Sequence, residues 1–298
     1  MYSTRLNPPL RLVLTGKCNG ACSFCHHEGN HATYNNMSSQ ILDDCISAAH
    51  ELGITRINLT GGEPTLVSDL STIISKIKYA LPMVELGLTT NGFCLGTLTD
   101  AAFQLLNKIN LSVISFKESV YLKYQGVNPN ESLLLLKKYS DKTTINIVIV
   151  DDNKADILSI VNECLQQGFA VDLMFDLISN DIKLQKEVLA LLTDEYGMFD
   201  ICYGSTPVMI SCKEIAVKLR VKVPGISKIL TREICVNCPY FVQCTEKVCA
   251  LRVYPNGVVS PCLNGYITSE KGSVKERIKD LYPQLGIDKN DIYSFFLQ

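Results

Sequence analysis

"LRLVLTGKCNGACSFC" (residues 10–25) decides how this chain is read. Its first six residues form an apolar run of the length of a buried strand. Three cysteines follow, Cys18, Cys22 and Cys25, in the spacing C-x3-C-x2-C. In parallel α/β folds the ligand-binding loops follow the C-terminal ends of strands, and this loop begins where the strand stops. A structural zinc site is closed by four ligands. No fourth cysteine lies nearby, although His26, His27 or His31 would supply a ligand. An iron–sulfur cube takes thiolates on its corners, and three thiolates leave one iron open to a substrate or cofactor.

Outward from this stretch the chain keeps one rhythm. Strands are expected at "LRLVLT" (10–15), "TRINLT" (55–60), "VELGLT" (84–89), "NLSVIS" (110–115), "TTINIVIV" (143–150) and "AVDLMFD" (170–176). Helices are expected near 38–53, 67–80, 98–108, 131–140, 153–167 and 182–193, the first opening at a serine and stopping at Gly53. Strands that alternate with helices predict a parallel sheet with helices outside. The fold class expected is α/β: a partial (β/α)6 TIM-like barrel with a small C-terminal cysteine-rich α+β extension. The rhythm stops near residue 200, so the boundary is placed between a core domain at 1–200 and a C-terminal domain at 201–298. Short β-like runs at 207–211 and 215–223, a hairpin at "LRVYPNGVVSPC" (251–262) and a charged helical face at 271–280 fill the second part.

Two further strands end in polar loops. "TRINLT" runs into Gly61, Gly62, Glu63 and Pro64; the glycines permit close backbone approach, and Glu63 offers a carboxylate to a cationic group. "VELGLT" runs into Thr90, Asn91 and Gly92, and the fourth strand ends at Ser115. All lie at the rim that carries the cysteine loop. Lys117 and Glu118 read as a surface ion pair.

Composition bounds the function. The chain has 298 residues, is 47% hydrophobic and 19% charged, and carries a net charge of −2. A folded core is expected, and a basic field for nucleic acid is excluded. The N-terminus has no apolar segment of the secretory type. The longest apolar run, "INIVIV" (145–150), is too short to span a bilayer, so a cytoplasmic protein with neither membrane nor nucleic-acid partner is expected. Thirteen cysteines in such a chain point to metal ligation rather than disulfides. Besides the first three, Cys235, Cys238, Cys244, Cys249 and Cys262 form a second group, for which a zinc ribbon is the plainer alternative. The scattered Cys45, Cys94, Cys164, Cys202 and Cys212 read as small hydrophobes, and Tyr240 as a packing residue.

Cys18, Cys22 and Cys25 with Phe24 before the last, followed by GGEP and TNG on the next two strands, resemble the radical S-adenosylmethionine (SAM) superfamily over residues 10 to about 180. The resemblance implies a [4Fe–4S] cluster on the three cysteines whose fourth iron chelates SAM. It places Phe24 near the adenine, Gly61, Gly62 and Glu63 at the SAM amino group, and Thr90, Asn91 and Ser115 near the ribose or carboxylate. It implies reductive cleavage of SAM to a 5′-deoxyadenosyl radical that abstracts hydrogen from a substrate. It also implies a one-electron donor such as flavodoxin or ferredoxin.

The second cysteine group is similar to auxiliary iron–sulfur regions of two branches. The peptide-modifying branch with a twin-cluster C-terminal domain shares the C-x2-C-x5-C run. The molybdenum-cofactor GTP 3′,8-cyclase branch shares the hairpin ending "GVVSPC". An auxiliary [4Fe–4S] cluster on Cys235, Cys238, Cys244 and Cys262 is implied, with Cys249 as the alternative ligand. The cyclase resemblance assigns Arg11, Arg56 and Arg252 to substrate. It departs at Ala250, where a second hairpin arginine is expected, at the "YSFFLQ" end in place of Gly-Gly, and at "FKES" after Ser115. The expectation is therefore a cyclase-like enzyme acting on another small-molecule or peptide substrate. GTP 3′,8-cyclisation is the alternative, and a non-catalytic iron–sulfur or zinc redox sensor is the alternative of another class.

Overall fold

The structure is a computed structural model. It describes residues 5–6, 8–25, 35–126, 128–175, 181–197, 199–202, 209–212, 219–222, 233–236, 238–239, 241–242, 250–262 and 271–288. His26, His27, His31, Tyr240, Cys244 and Cys249 lie outside the described residues.

The strand–helix rhythm is present. After a short β1 (Arg5–Leu6), β2 (Leu10–Val13) leads to α1 (Ser39–Glu51), β3 (Arg56–Thr60) to α2 (Leu70–Ala80), and β4 (Glu85–Thr90) to α3 (Asp100–Leu105). Then β5 (Lys108–Ser112) leads to α4 (Glu118–Tyr124) and α5 (Pro129–Leu136), β6 (Thr143–Ile149) to α6 (Ile157–Gln166), and β7 (Ala170–Phe175) to α7 (Ile182–Tyr196). Local chemistry sets the helix ends. The Ser38 and Asp181 side chains accept the backbone N–H of Ile41 and Leu184 at the starts of α1 and α7. Gly53 and Gly197, at φ +61° and +81°, follow the last turns, a conformation that costs a glycine little.

Two expectations shift. The third helix ends at Leu105 rather than 108, and β5 begins two residues earlier than "NLSVIS" suggests. The reason is Asn107: its backbone N–H donates to Leu86 O, and its Oδ1 accepts the Leu86 N–H, so ladder pairing with β4 has already begun there. Ser115 consequently sits beyond the strand, in the turn before α4. That helix was not expected. It is a single short stretch whose Val120, Tyr121 and Tyr124 are buried.

The chain continues with β8 (Phe199–Cys202), β9 (Met209–Cys212), β10 (Leu219–Lys222), α8 (Glu233–Val236), β11 (Leu251–Val253), β12 (Val259–Ser260), α9 (Val274–Leu281) and β13 (Ile287–Asp288). One 11-stranded sheet has the order β12-β11-β2-β3-β4-β5-β6-β7-β10-β9-β8. Every pairing from β11 through β2 to β7 and β10 is parallel, and the outer pairs are antiparallel. The architecture is the open, partial barrel expected. The sheet also crosses residue 200: β10 adds beside β7, and the hairpin strand β11 adds beside β2.

The two faces of this sheet differ in chemistry. On one face Leu10, Leu12, Ile57, Leu59, Leu86, Leu88, Ile109, Leu111, Ile145, Ile147, Val171 and Leu173 join one buried core with residues of the helices. On the other face three rows run across the strands in register. One row is Arg252, Arg11, Asn58 and Gly87. The next is Thr89, Asn110 and Thr144. The third is Ser112, Asn146, Asp172 and Arg220. Helix α4 covers the edge of this polar face at Val148 and Val150. No helix among the described residues is long and apolar enough to cross a membrane.

Candidate metal and cofactor site

The cysteine loop follows β2. Cys18 and Cys25 are exposed and Cys22 half-buried. The Gly20 N–H donates to Cys18 Sγ at 3.3 Å, and the Cys25 N–H to Cys22 O at 3.1 Å. A Cβ placed on Gly20 would press on Gln125 O at 3.3 Å and make ordinary contact with Cys18 Sγ and Cys22 Sγ at 3.6 and 3.8 Å, which places the glycine beside both thiols. Burial pushes the Cys22 thiol up to about 12, reinforced by Cys25 and Cys18, and burial likewise raises Cys18. Without a cation the site therefore favours thiols. A bound metal reverses that preference because thiolate is the ligating form.

Among the described residues no three His, Cys, Asp or Glu side chains converge tightly enough on a single ion. Such an ion draws its sulfur ligands to about 2.3 Å from one centre. A four-iron cube takes each thiolate on a different corner, and three free thiols on one loop are a donor set of that kind.

The loop after β3 locks onto the cysteine loop. The Gly62 N–H donates to Thr15 O and the Glu63 N–H to Lys17 O, both at 2.8 Å. A Cβ at Gly61 would meet Thr15 O at 2.6 Å, and one at Gly62 would meet Lys17 O at 2.2 Å. The glycines are thus required by backbone contact between the two loops, beyond any contact with a ligand.

Glu63 is 1% exposed and binds this rim together. Its Oε1 accepts from Thr65 N (3.0 Å), Thr65 Oγ1 (2.6 Å) and Thr90 Oγ1 (2.5 Å), and its Oε2 accepts from Asn91 N (2.6 Å). Burial raises its carboxyl above the ordinary value, and these donors oppose the rise. Thr90 Oγ1 also accepts the Gly92 N–H at 2.9 Å, and Asn91 Nδ2 donates to Asn19 Oδ1 at 2.9 Å, inside the cysteine loop. Three loops from three adjacent strands thereby form one hydrogen-bonded unit. The carboxylate expected to meet a cationic ligand group is largely engaged by its own protein.

Phe24 packs against Tyr124 of α4, with ring centroids 5.7 Å apart, and against the cluster of Ile114, Val120 and Tyr121. Ser115 is buried, and its Oγ accepts the Lys117 N–H at 3.1 Å. Lys117 pairs with Asp156 at 2.5 Å, not with Glu118; Glu118 instead opens α4, where its charge suits the helix N-terminus.

The three arginines separate. Arg11 and Arg252 are partners across the β2–β11 ladder, and Arg11 Nη2 donates to Thr60 Oγ1 at 3.5 Å. Arg252 is 1% exposed. Arg56 heads β3, four residues before Thr60 and so about 13 Å down the strand from the rim. The structure does not bring it to the cysteine loop. Of the second cysteine group, Cys235 and Cys262 are buried and Cys238 is half-buried, and the Cys238 N–H donates to Cys235 O at 3.0 Å. Sequence reasoning missed Asn58, Asn110, Asn146, Asp172 and Arg220. Strand periodicity places each opposite the apolar face, which was the available signal.

The chain is similar to known proteins in sequence and in fold. A probable GTP 3′,8-cyclase of Thermococcus kodakarensis is 31% identical over 172 residues, 55% of each chain. A probable GTP 3′,8-cyclase of Pyrococcus horikoshii is 26% identical over 275 residues, 85% of this chain and 83% of that one. The chain thus spans about half the length of the first of these relatives in the aligned region. Streptococcus suis SuiB bound to S-adenosylmethionine matches with a TM-score of 0.63 at 14% identity, over 93% of this chain and 64% of that chain. anSMEcpe with bound AdoMet and the Kp18Cys peptide matches at 0.59 and 15% identity, over 97% and 83%. These two likenesses establish the fold. The radical SAM superfamily model matches residues 12–164, the region that carries the three thiols, the Glu63 unit and the first five strands of the barrel, and the chain belongs to the radical SAM superfamily.

Proposed function

We propose that this chain cleaves SAM reductively to a 5′-deoxyadenosyl radical and uses it to take hydrogen from a small-molecule or peptide substrate. The observation that carries the reading is the Glu63 unit, which ties the three-thiol loop to the loops after β3 and β4. A redox sensor needs the thiols but gives no reason for that unit. Cys18, Cys22 and Cys25 would hold a [4Fe–4S] cluster, which when bound supplies the electron for SAM cleavage. The residues of the chain position and exclude. Gly61 and Gly62 let the loop after β3 close onto the cysteine loop, Glu63 holds Thr90 and Asn91 in place, and Phe24 anchors the cysteine loop on α4. Flavodoxin or ferredoxin is the proposed class of electron donor.

The C-terminal part, 201–298, is proposed to hold an auxiliary [4Fe–4S] cluster on Cys235, Cys238, Cys262 and Cys244, with Cys249 as the alternative to the last. The burial of Cys235 and Cys262 supports a site shielded from solvent. Four thiolates would close that cluster to substrate. GTP 3′,8-cyclisation is the second reading. It is favoured by the adjacency of Arg11 and Arg252 on the polar face and by the names of the relatives.

The test is anaerobic incubation of reconstituted protein with SAM and dithionite. Enzyme-dependent 5′-deoxyadenosine is expected, and Cys22→Ala is expected to abolish it together with the iron content of that site. Activity retained by Cys22→Ala removes the cluster assignment, and conversion of added GTP to a cyclised product selects the second reading.

A further inference from the structure

The polar face directly below the rim holds a small constellation that the proposed chemistry does not use. Thr89 Oγ1 accepts two amide N–H groups, from Asn58 Nδ2 at 3.0 Å on β3 and from Asn110 Nδ2 at 3.3 Å on β5. Two donors occupy the lone pairs of a hydroxyl. The Thr89 proton is therefore left to point away from both amides, and no acceptor for it is present among the described residues. Each carboxamide keeps its Oδ1 and a second N–H. All three residues are half-exposed, so these groups are open to a ligand.

The backbone is shaped to hold this arrangement. Gly87 lies opposite Asn58 in register, and a Cβ there would stand 2.6 Å from Asn58 Oδ1. The absence of a side chain at Gly87 lets Asn58 lie flat across β4 and reach Thr89 on the next row. The nearest cations in register, Arg11 beside Asn58 and Lys108 opposite Gly87, each have partners of their own. What the triad offers is a close set of neutral donors and acceptors, one residue below Thr90 of the Glu63 unit.

We propose that Asn58, Thr89 and Asn110 form a subsite for an uncharged hydrogen-bonding group of the substrate, an amide or nucleobase edge, beneath the SAM-binding rim. The proposal rests on the radical SAM reading for its substrate. Its logic is that a neutral edge which both donates and accepts matches Thr89 O–H and the carboxamide oxygens, whereas a phosphate or carboxylate would meet two carboxamide oxygens without a countercharge.

The experiment is equilibrium dialysis of the reconstituted holoenzyme with SAM, without reductant. It uses two neutral probes, guanosine and N-acetyl-glycyl-glycinamide, which separate a nucleobase source from a peptide source. One of the two is expected to bind saturably. Thr89→Val is expected to weaken it about tenfold, as loss of one buried hydrogen bond predicts. Thr89→Ser should restore binding, and Gly87→Ala, which displaces Asn58, should weaken it as Thr89→Val does. Cluster absorbance reports that each variant is folded. The proposal is overturned if neither neutral probe binds, if Thr89→Val binds as the wild type does, or if excess inorganic phosphate displaces the probe. Failure to form 5′-deoxyadenosine in the separate reductive assay strikes the radical SAM reading and leaves these binding results to stand or fall alone.

Discussion

Leu88 and Thr89 are neighbours on β4 and face opposite sides of the sheet. Leu88 has no exposed surface and belongs to the core beneath the helices. Thr89 turns to the opposite face and holds two asparagine amides. The same alternation separates Leu10 and Leu12 from Arg11, and Ile145 and Ile147 from Asn146. One face of each strand supplies stability by apolar burial, while the other carries the polar groups proposed to meet substrate. The two are separable because consecutive side chains of a strand leave the sheet in opposite directions. A barrel of this kind can change its polar face with little disturbance to its core.

The largest stability effect should come from the covered face. Leu88→Ala is expected to cost about 2–5 kcal/mol in equilibrium urea unfolding, from lost transfer free energy and the cavity left behind. Thr89→Val, one residue along, should change stability by no more than about 1 kcal/mol. Equal costs at both positions would break the division between the faces.

The Asp172–Arg220 pair sharpens the comparison, because it is a place on the polar face where a charged contact joins two strands. It is bidentate, with Arg220 Nε to Asp172 Oδ1 at 2.6 Å and Nη2 to Oδ2 at 2.7 Å, and the two side chains are 15% and 12% exposed. It also joins β10 to the core strand β7. Arg220→Leu should cost about 3 kcal/mol, because it strands a buried carboxylate. The double replacement Asp172→Leu with Arg220→Leu should recover most of that loss in the same unfolding measurement, since a desolvated ion pair contributes little net stability over an apolar one. A double variant as unstable as the single one would make the pair a true structural clamp.

The smallest effect lies outside both faces. Glu51 at the end of α1 meets Lys275 and Lys279 of α9, the latter at 2.8 Å, and these hydrogen bonds hold its carboxyl at about 2, below the ordinary 4.5. A depressed carboxyl contributes stability that is complete above 4.5 and is lost as the pH falls through about 2. The melting-temperature difference between wild type and Glu51→Gln should therefore be small, constant above that range, and vanish on acidification. A difference that grows on acidification would reverse the sign of this coupling. The group lies at the surface, so the effect is modest and is reduced by salt.

Much of this was legible before any coordinates. The apolar runs and their spacing placed each of the six strands β2 to β7 within two or three residues, because a strand buried beneath helices must be apolar at least at alternate positions. The cysteine spacing and the two glycine-containing loops marked three segments that the structure joins at one rim. The errors arose where a distant partner decides the local outcome. Asn107 starts β5 early because it pairs with Leu86, and Lys117 turns to Asp156. Arg56 was grouped with Arg11 although it heads its strand, since a family pattern carries no height along a barrel. At Glu63 the engaging hydrogen bonds come equally from Thr65, two residues along, and from Thr90 and Asn91 across the rim, and the second pair is invisible to a local pattern.

The amino-acid sequence alone determined the class of fold, the end of the sheet at which the motif loops gather and the three thiols of the cysteine loop. Periodicity, loop position and ligand spacing are local properties written along the chain. Tertiary structure decided which side chains share a surface: that the hairpin strand β11 closes beside β2 and sets Arg252 against Arg11, that β10 brings Arg220 to Asp172, and that Gly87 leaves room for Asn58 to reach Thr89. Those contacts depend on strand order and register between segments up to about 240 residues apart, which no local pattern encodes.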